Sequence, residues 1–205
     1  TEAEDLPQNA LTQILPKANL TFSNSLFIKQ LFSQGWLEFK NVLADWYFRA
    51  IVIGGVIFLG VDAYMGNQFY GTPSLPLTNY MVESKSGLFG LFVFVIIIFF
   101  TGEVVHRDKT LKFSQITDAL PVPNWVTYGS KFWAMSLVCI FMATLVIIVG
   151  VFSQTIQGFF DYQLGKYFTD LYMLELPGYI QLTMLAFFIH IMVNKKFLGH
   201  VVAIG

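Results

Sequence analysis

The sequence predicts an all-α fold, a bundle of transmembrane helices with an interfacial helix and a second short helix in the cytoplasm. Composition is the first reason. Of the 205 residues, 55% are hydrophobic and 12% are charged, whereas soluble domains carry about 25% charged residues. The second reason is the length of the apolar runs, several of which approach the roughly 20 residues that a spanning helix needs. Together they predict an integral membrane protein.

The first 44 residues are predicted to precede the first span. Residues 1–23 are polar and contain proline, which is typical of a linker. From 24 to 44, apolar residues recur at helical spacing, and most charged residues lie off that stripe. This pattern predicts an amphipathic helix that lies in the cytoplasmic interface and bends into the first span near Asp45. The stripe consists of Phe27, Leu31, Phe32, Trp36, Phe39 and Leu43.

The remaining residues, 45–205, are predicted to form one transmembrane domain that is a fragment of a longer protein. Its spans are predicted at about 45–65, 86–104, 129–153 and 176–194, with the start of a fifth from 198. Trp and Tyr residues at the ends of the first span suit the aromatic belts of a membrane.

Small residues in two of these spans have predicted packing roles. Gly54, Gly55 and Gly60 of the first span would permit close approach of another helix, either within the chain or from a partner. Cys139 is the only cysteine and lies in an apolar run. It is therefore predicted to be a packing residue, with no metal site assigned to it.

The distribution of Lys and Arg orients the spans, because cytoplasmic segments carry an excess of these residues. The two predicted outer loops hold only Lys85 and Lys166. The N-terminal segment and the loop between the second and third spans are therefore predicted to be cytoplasmic. The residues on that side, outside the linker, are Lys29, Lys40, Arg49, Arg107, Lys109, Lys112, Lys131, Lys195 and Lys196.

A short helix is predicted between the second and third spans, with Thr110 as its N-cap. Phe113, Ile116 and Leu120 fall at i, i+3 and i+7 and would form one apolar face. Two prolines, at positions 121 and 123, would end the helix and stiffen the return to the membrane. The result is a compact helical elbow held between two spans.

The stretch GEVVHRDKTLKFSQITDALPVPNWVTYGSKFWA resembles type-2 ABC transporter permeases, most closely the bacterial permeases fused to a zinc aminopeptidase. YGTPSLPLTNYM and HIMVNKKFLGH agree with the same family, and the resemblance runs from about Phe27 to the end of the chain. His106 departs from the pattern, which has Trp there. The matching residues are Gly102–Glu103, Arg107–Asp108, Asp118–Val126 and Ser130–Lys131.

The resemblance implies a multi-pass permease subunit in the bacterial inner membrane, with a second permease half or a homodimer mate and cytoplasmic ABC ATPase subunits as partners. ATP and Mg²⁺ would bind the ATPases, with no cofactor on this chain. The sequence holds neither a phosphate-binding loop nor a zinc-peptidase motif, so no enzymatic activity is predicted for it. The net charge of −1 gives no nucleic-acid signature. The implied ATPase-coupling residues are Arg107, Lys109, Lys112, Phe113, Ile116, Asp118 and Leu120.

Each of these assignments has a simpler alternative. The elbow could be a mere connector, and its basic residues could serve topology alone. Glu103 is expected in a structural ion pair, with Arg107 at i+4 or with another span. His190 is expected to be a packed, hydrogen-bonded residue of the fourth span rather than a functional one.

Two other functions compete with the permease. A proton-coupled transporter would use Asp62, Glu103 and His190, but all three lie near the predicted ends of spans. A membrane anchor that presents a fused peptidase domain would need no coupling helix. The permease is therefore the preferred prediction, with the anchor as the alternative.

Cysteines placed at Ser74 and Ser114 test the predicted orientation. Only the Ser74→Cys variant is expected to react with a membrane-impermeant maleimide added outside the cell, because its loop is predicted to be outside. If only Ser114→Cys were labelled, the orientation of the chain would be the opposite of the predicted one.

Overall fold

The computed structural model describes residues 24–65, 68–69, 72–73, 75–110, 122–193 and 195–205, and these residues are almost entirely helical. In the loop after the second helix, two residues pair antiparallel with two others, Gln68–Phe69 with Thr72–Pro73. The linker predicted at 1–23 lies outside the described residues. The helices are α1 Asn24–Ala44, α2 Trp46–Met65, α3 Thr78–Thr110, α4 Asn124–Ile156, α5 Leu164–Phe168, α6 Leu176–Met192 and α7 Lys196–Ile204, with a π-helical segment, Thr169–Glu175, between α5 and α6.

Among the described residues, three helices are long and apolar enough to cross a membrane: α3, α4 and the continuous helix Leu164–Met192. Helices α1 and α2 meet the same criterion only as a pair bent by 65°, which makes up to four spans if that pair counts as one. The prediction of an all-helical fold with helices long and apolar enough to span a membrane is thus confirmed at this coarse level. The predicted short helix of the elbow falls within 111–121, outside the described residues.

Helix α1 packs lengthwise along the first half of α4. Phe27 lies edge-on to Trp125, with ring centroids 6.5 Å apart. About two turns further along, a Cβ atom on Gly35 would lie 2.7 Å from Trp133 and 2.8 Å from the Ser130 carbonyl oxygen. The close approach of the two helices therefore requires glycine at position 35.

The face of α1 that packs includes most of the predicted apolar stripe, but it leaves out Trp36 and adds Gly35 and Val42. Phe39 and Val42 are buried beside Gly35, whereas Trp36 is half exposed. The predicted stripe is defined by large apolar residues and therefore does not include Gly35, where the two helices come closest. Placement of α1 in the membrane interface stays a prediction.

The bend between α1 and α2 is stabilised at both helix ends. The Asp45 carboxylate accepts hydrogen bonds from the backbone N–H groups of Tyr47 and Phe48, which caps the N-terminus of α2. The Arg49 side chain donates to the carbonyl of Leu43 and so satisfies the end of α1. The predicted bend near Asp45 is therefore present, and its cause is this pair of caps.

Helix α3 is central, since α2, α4, α6 and α7 all pack against it. Helix α2 runs antiparallel to it, because Phe48 contacts Phe100 at one end and Gly55 contacts Phe89 further along. Of the three glycines with predicted packing roles, only Gly55 is at a close approach within the described chain. Gly54 and Gly60 are exposed and have open space around them.

A fully hydrogen-bonded polar network joins α3, α4 and α5 at one end of the bundle. The Tyr167 hydroxyl donates to the side-chain oxygen of Gln154 at 3.0 Å. The Gln154 amide nitrogen in turn donates to the Pro76 carbonyl and to the Thr78 hydroxyl. Gly150 leaves room for the Tyr167 ring, since a Cβ there would lie 2.8 Å from the hydroxyl oxygen. Buried polar groups are thereby satisfied far from the loop that connects α3 to α4.

The continuous helix Leu164–Met192 changes from α-helical to π-helical geometry just before Pro177. Pro177 has no N–H group and would crowd the carbonyl of residue 173 in a regular α-helix. The π-helical turn Thr169–Glu175 directly precedes it and is wider than an α-turn. The helix therefore continues through the proline as Leu164–Met192 without a break.

Valine at position 55 tests the α2–α3 contact, with valine at position 54 as the matched control. Gly55→Val is expected to lower the thermal unfolding midpoint by roughly 3–10 °C, because overpacking commonly costs about 1–3 kcal/mol. Gly54→Val should leave it nearly unchanged, since nothing lies within 4 Å of a Cβ there. Equal midpoints in detergent for the two variants would contradict the observed packing.

Candidate functional site

The candidate site lies at the end of the bundle where α3 ends and α4 begins, here called the basic end. It comprises the last turns of α3 from Glu103 to Thr110, residues 122–131, and the parts of α1 and α7 that contact them. Four of the Lys and Arg residues that predicted the cytoplasmic side lie here, Arg107, Lys109, Lys131 and Lys196. Lys166 lies at the opposite end, where it lines a cleft with Glu83.

Arg107 links α3 to α1. Its guanidinium lies 3.0 Å from the carboxylate of Glu38, and both side chains are partly buried. Guanidinium and carboxylate groups form charge-assisted hydrogen bonds, which are stronger than neutral ones. This contact fixes the polar side of α1 against the last turns of α3.

Lys131 links α4 to α3. Its ammonium lies 2.6 Å from the Asp108 carboxylate and 3.4 Å from the Val105 carbonyl, and its side chain is only 5% exposed. A buried ammonium needs such partners, because desolvation of an unpaired charge is costly. The pair joins two parts of the family-like motif, the basic–acidic cluster and the Ser–Lys pair.

Glu103 links α3 to α7 through an ion pair with Lys196. The predicted partner at i+4, Arg107, is engaged by Glu38 instead. The structure therefore pairs Glu103 with Lys196 of α7 and not with Arg107 at i+4. An i,i+4 pair on one helix contributes only about 0.3–0.5 kcal/mol, so a partner in a less hydrated contact between helices is readily preferred.

The three pairs leave the last turns of α3 bound to three other helices. Glu103 and Arg107 lie on nearly the same side of α3, and Asp108 is about 100° further round from Arg107, yet their partners are on three different helices. A cleft of about 180 Å³ remains between α1, α3 and the start of α4, lined in part by Glu38, Asp108 and Lys131. The ends that flank residues 111–121 are thus fixed relative to each other.

Most of the predicted coupling residues lie outside the described residues. These are Lys112, Phe113, Ile116, Asp118 and Leu120. Of the other two, Lys109 is exposed at the end of α3, and Arg107 is partly buried and paired with Glu38. A direct contact of Arg107 with a partner would therefore compete with Glu38.

A second feature of the basic end is the meeting of three histidines. His106 of α3 and His190 of α6 have ring centroids 5.7 Å apart, and His190 and His200 of α7 have centroids 4.8 Å apart. His106 is 4% exposed and His190 is 1% exposed. Within the described part of the chain, no three His, Cys, Asp or Glu residues are arranged to hold a metal ion.

His190 is packed as predicted, but the expected hydrogen bonds are missing. Within the described residues, neither nitrogen of His190 or His200 has a hydrogen-bond partner, and Nε2 of His106 has none. The Ile98 backbone faces His190 and His200 without meeting hydrogen-bond geometry. Buried polar atoms without partners are rare and call for an explanation.

Neither a family model, a curated protein nor a solved structure matches this chain. The contacts described above are therefore the basis for any functional assignment, together with the resemblance of the sequence motifs.

The sequence pointed to parts of this site but not to its connections. Glu38 is one of the charged residues off the apolar stripe of α1, and no sequence pattern assigns a role to His200. Their partners lie 69 and 10 residues away in sequence. No periodicity reports such contacts, although all three histidines lie near predicted ends of spans.

Double-mutant cycles test the ranking of two of the ion pairs. The Asp108→Ala and Lys131→Ala cycle should give a coupling free energy of about 1.5–3 kcal/mol, because the ammonium is nearly buried. The Glu38→Ala and Arg107→Ala cycle should give about 0.2–1 kcal/mol, because that pair is more hydrated. Both are measured as unfolding free energies in mixed micelles. The reverse ranking would contradict the burial seen here.

Proposed function

We propose that this chain is a membrane-spanning permease subunit of an ABC transporter, which couples ATP hydrolysis by partner ATPases to movement of a substrate across the membrane. The single observation that carries the proposal is the set of ion pairs around the last turns of α3. They bind the helix that enters the 111–121 segment to α1, α4 and α7.

Because these ion pairs hold the end of α3 rigidly against its neighbours, a force on α3 would be transmitted to them. A displacement of residues 111–121 would reach α3 at Thr110 and α4 at its first turn. Since Asp108 and Lys131 hold these two helix ends together, the helices would move as a unit. A flexible connector needs no such bracing.

The proposed partners follow from the resemblance of the sequence motifs. Cytoplasmic ABC ATPases would bind ATP and Mg²⁺ and would receive the apolar ridge of Phe113, Ile116 and Leu120. A second permease half or a homodimer mate would complete the membrane domain in the bacterial inner membrane. The exposed glycines of α2, Gly54 and Gly60, offer one surface for that contact.

The alternative is a membrane anchor that presents a fused peptidase domain and does not transport. An anchor derived from a permease would retain the same motifs and the same ion pairs. A measurement of activity is therefore needed to distinguish the two functions. Substrate-stimulated ATP hydrolysis by the reconstituted complex would do so. The permease predicts stimulation in proteoliposomes, and the anchor predicts none.

Replacement of Phe113 and Ile116 together by Ala tests the coupling role. Truncation of a buried large side chain at an interface costs about 1–4 kcal/mol, so the double variant should lose most co-purifying ATPase and should uncouple hydrolysis from transport. Insertion into the membrane should be unaffected, because neither position lies in a predicted span.

The matched control is Lys112→Ala in the same segment. It should cause a smaller, salt-sensitive loss of ATPase, because a charge at the rim of an interface mainly tunes association. The comparison is made at equal abundance of each variant in the membrane. Undiminished ATPase recovery and normal transport in the double variant would make the segment a passive connector.

A further inference from the structure

All three histidines of the chain meet at the contact between α3, α6 and α7. His190 is in the centre, with His106 on one side and His200 on the other. The interplanar angles of the two contacts are 77° and 71°, so each ring presents an edge to its neighbour. Only the fold brings these residues together, because they come from three separate helices.

The backbone is shaped to admit the central ring. A Cβ atom on Gly102 of α3 would collide with the His190 and His200 rings, and a Cβ on Gly199 of α7 would collide with His190. The imidazole of His190 is thus held between two helix backbones at positions that only glycine leaves open. Its burial is a consequence of close packing on both sides.

The arrangement is a row and not a converging set of ligands. His190 contacts both neighbours, while the described contacts include none between the rings of His106 and His200. A neutral imidazole carries one N–H donor and one lone pair. Small rotations would therefore let a proton be shared along the row, whereas a metal ion would need three nitrogens directed at one point.

The charges around the row make its protonation state matter. The groups that face it are Glu103 and Lys109 of α3, Lys131 of α4 and Lys196 of α7. Helix α6 contributes no charged residue apart from His190. Glu103 is already bound by Lys196, and Lys131 by Asp108. Among the described residues, no free counter-ion faces the row, so an added proton would be a buried positive charge beside ammonium groups.

Helix α7 depends on this row for much of its attachment. Its contacts with α3 and α6 include the stacking of His200 on Phe99, with ring centroids 5.3 Å apart, and the seating of His190 against Gly199. The Glu103–Lys196 pair adds to this attachment. A charge on the histidines would repel Lys196 and weaken all of these contacts together.

We propose that His106, His190 and His200 form one proton-binding site, which holds α7 against α3 and α6 when neutral and releases α7 when protonated. The ligand is the proton itself. The site is separate from the proposed ATPase-binding segment and does not depend on the permease function.

Selective ¹⁵N-histidine labelling tests the proposal directly, because every histidine signal then comes from the site. The protein is placed in lipid nanodiscs and titrated from neutral to acidic pH. A neutral imidazole gives two well-separated nitrogen signals and an imidazolium gives two similar ones. We expect the three rings to titrate at one shared midpoint, and His190→Gln to abolish that shared behaviour.

The position of α7 is followed in the same titration by the distance between spin labels at Val95→Cys and Val201→Cys, in a Cys139→Ala background. Both positions are exposed. The distance should increase at the midpoint of the histidine titration, and His200→Gln should remove the increase. His200 is only half buried, so this variant keeps the test available even where His190→Gln does not fold.

Glu103→Gln is the control for the ion pair, because low pH could also break the Glu103–Lys196 contact by protonating Glu103. The pH-dependent increase in distance should persist in this variant. Three results would overturn the proposal: separate midpoints for the three rings, no movement of α7 across the titration, or loss of the movement in Glu103→Gln.

Discussion

The rest of the structure depends on the way the last two turns of α3 distribute their charges. Glu103, Arg107 and Asp108 could interact within their own helix, yet each has its partner on a different neighbouring helix. Pairs of this kind have a strict geometric requirement, because leaving one partner buried and alone is costly. They therefore fix the positions of α1, α4 and α7 relative to α3 at one end of the bundle, where apolar packing in a membrane gives little specificity.

Close approaches between helices at glycines are the second type of contact that holds the bundle together. Gly35, Gly55, Gly102 and Gly199 each lie where a Cβ atom would meet a neighbouring side chain or backbone. Since lipid tails are as apolar as the side chains they would replace, helix association in membranes relies on close packing and hydrogen bonds. The glycines allow that packing, and the polar contacts at the two ends of the bundle set which helices are paired.

Much of the fold could be predicted from the sequence because long apolar runs report helices directly. The helix over 24–44, the bend at Asp45 and the membrane-length helices all follow from local patterns. The contacts of the site could not be predicted in the same way. Arg107 had a plausible partner four residues away, and only the fold shows that Glu38 is closer. Gly35 and His200 likewise gain their importance from neighbours that are distant in sequence or on another helix.

The ion pairs and the histidine row share α3, and this has a mechanical consequence. His106 lies between Glu103 and Arg107 in sequence but faces α6, so the same two turns contact four other helices. A movement that enters at Thr110 cannot reach one of these helices alone, because α3 is a single rigid rod over this length. Release of α7 by protonation would remove one of the four attachments while Glu38 and Lys131 still hold α1 and α4. Acidification would therefore reduce the number of helices that move together with α3. The connection of the 111–121 segment to α3 and α4 would stay intact.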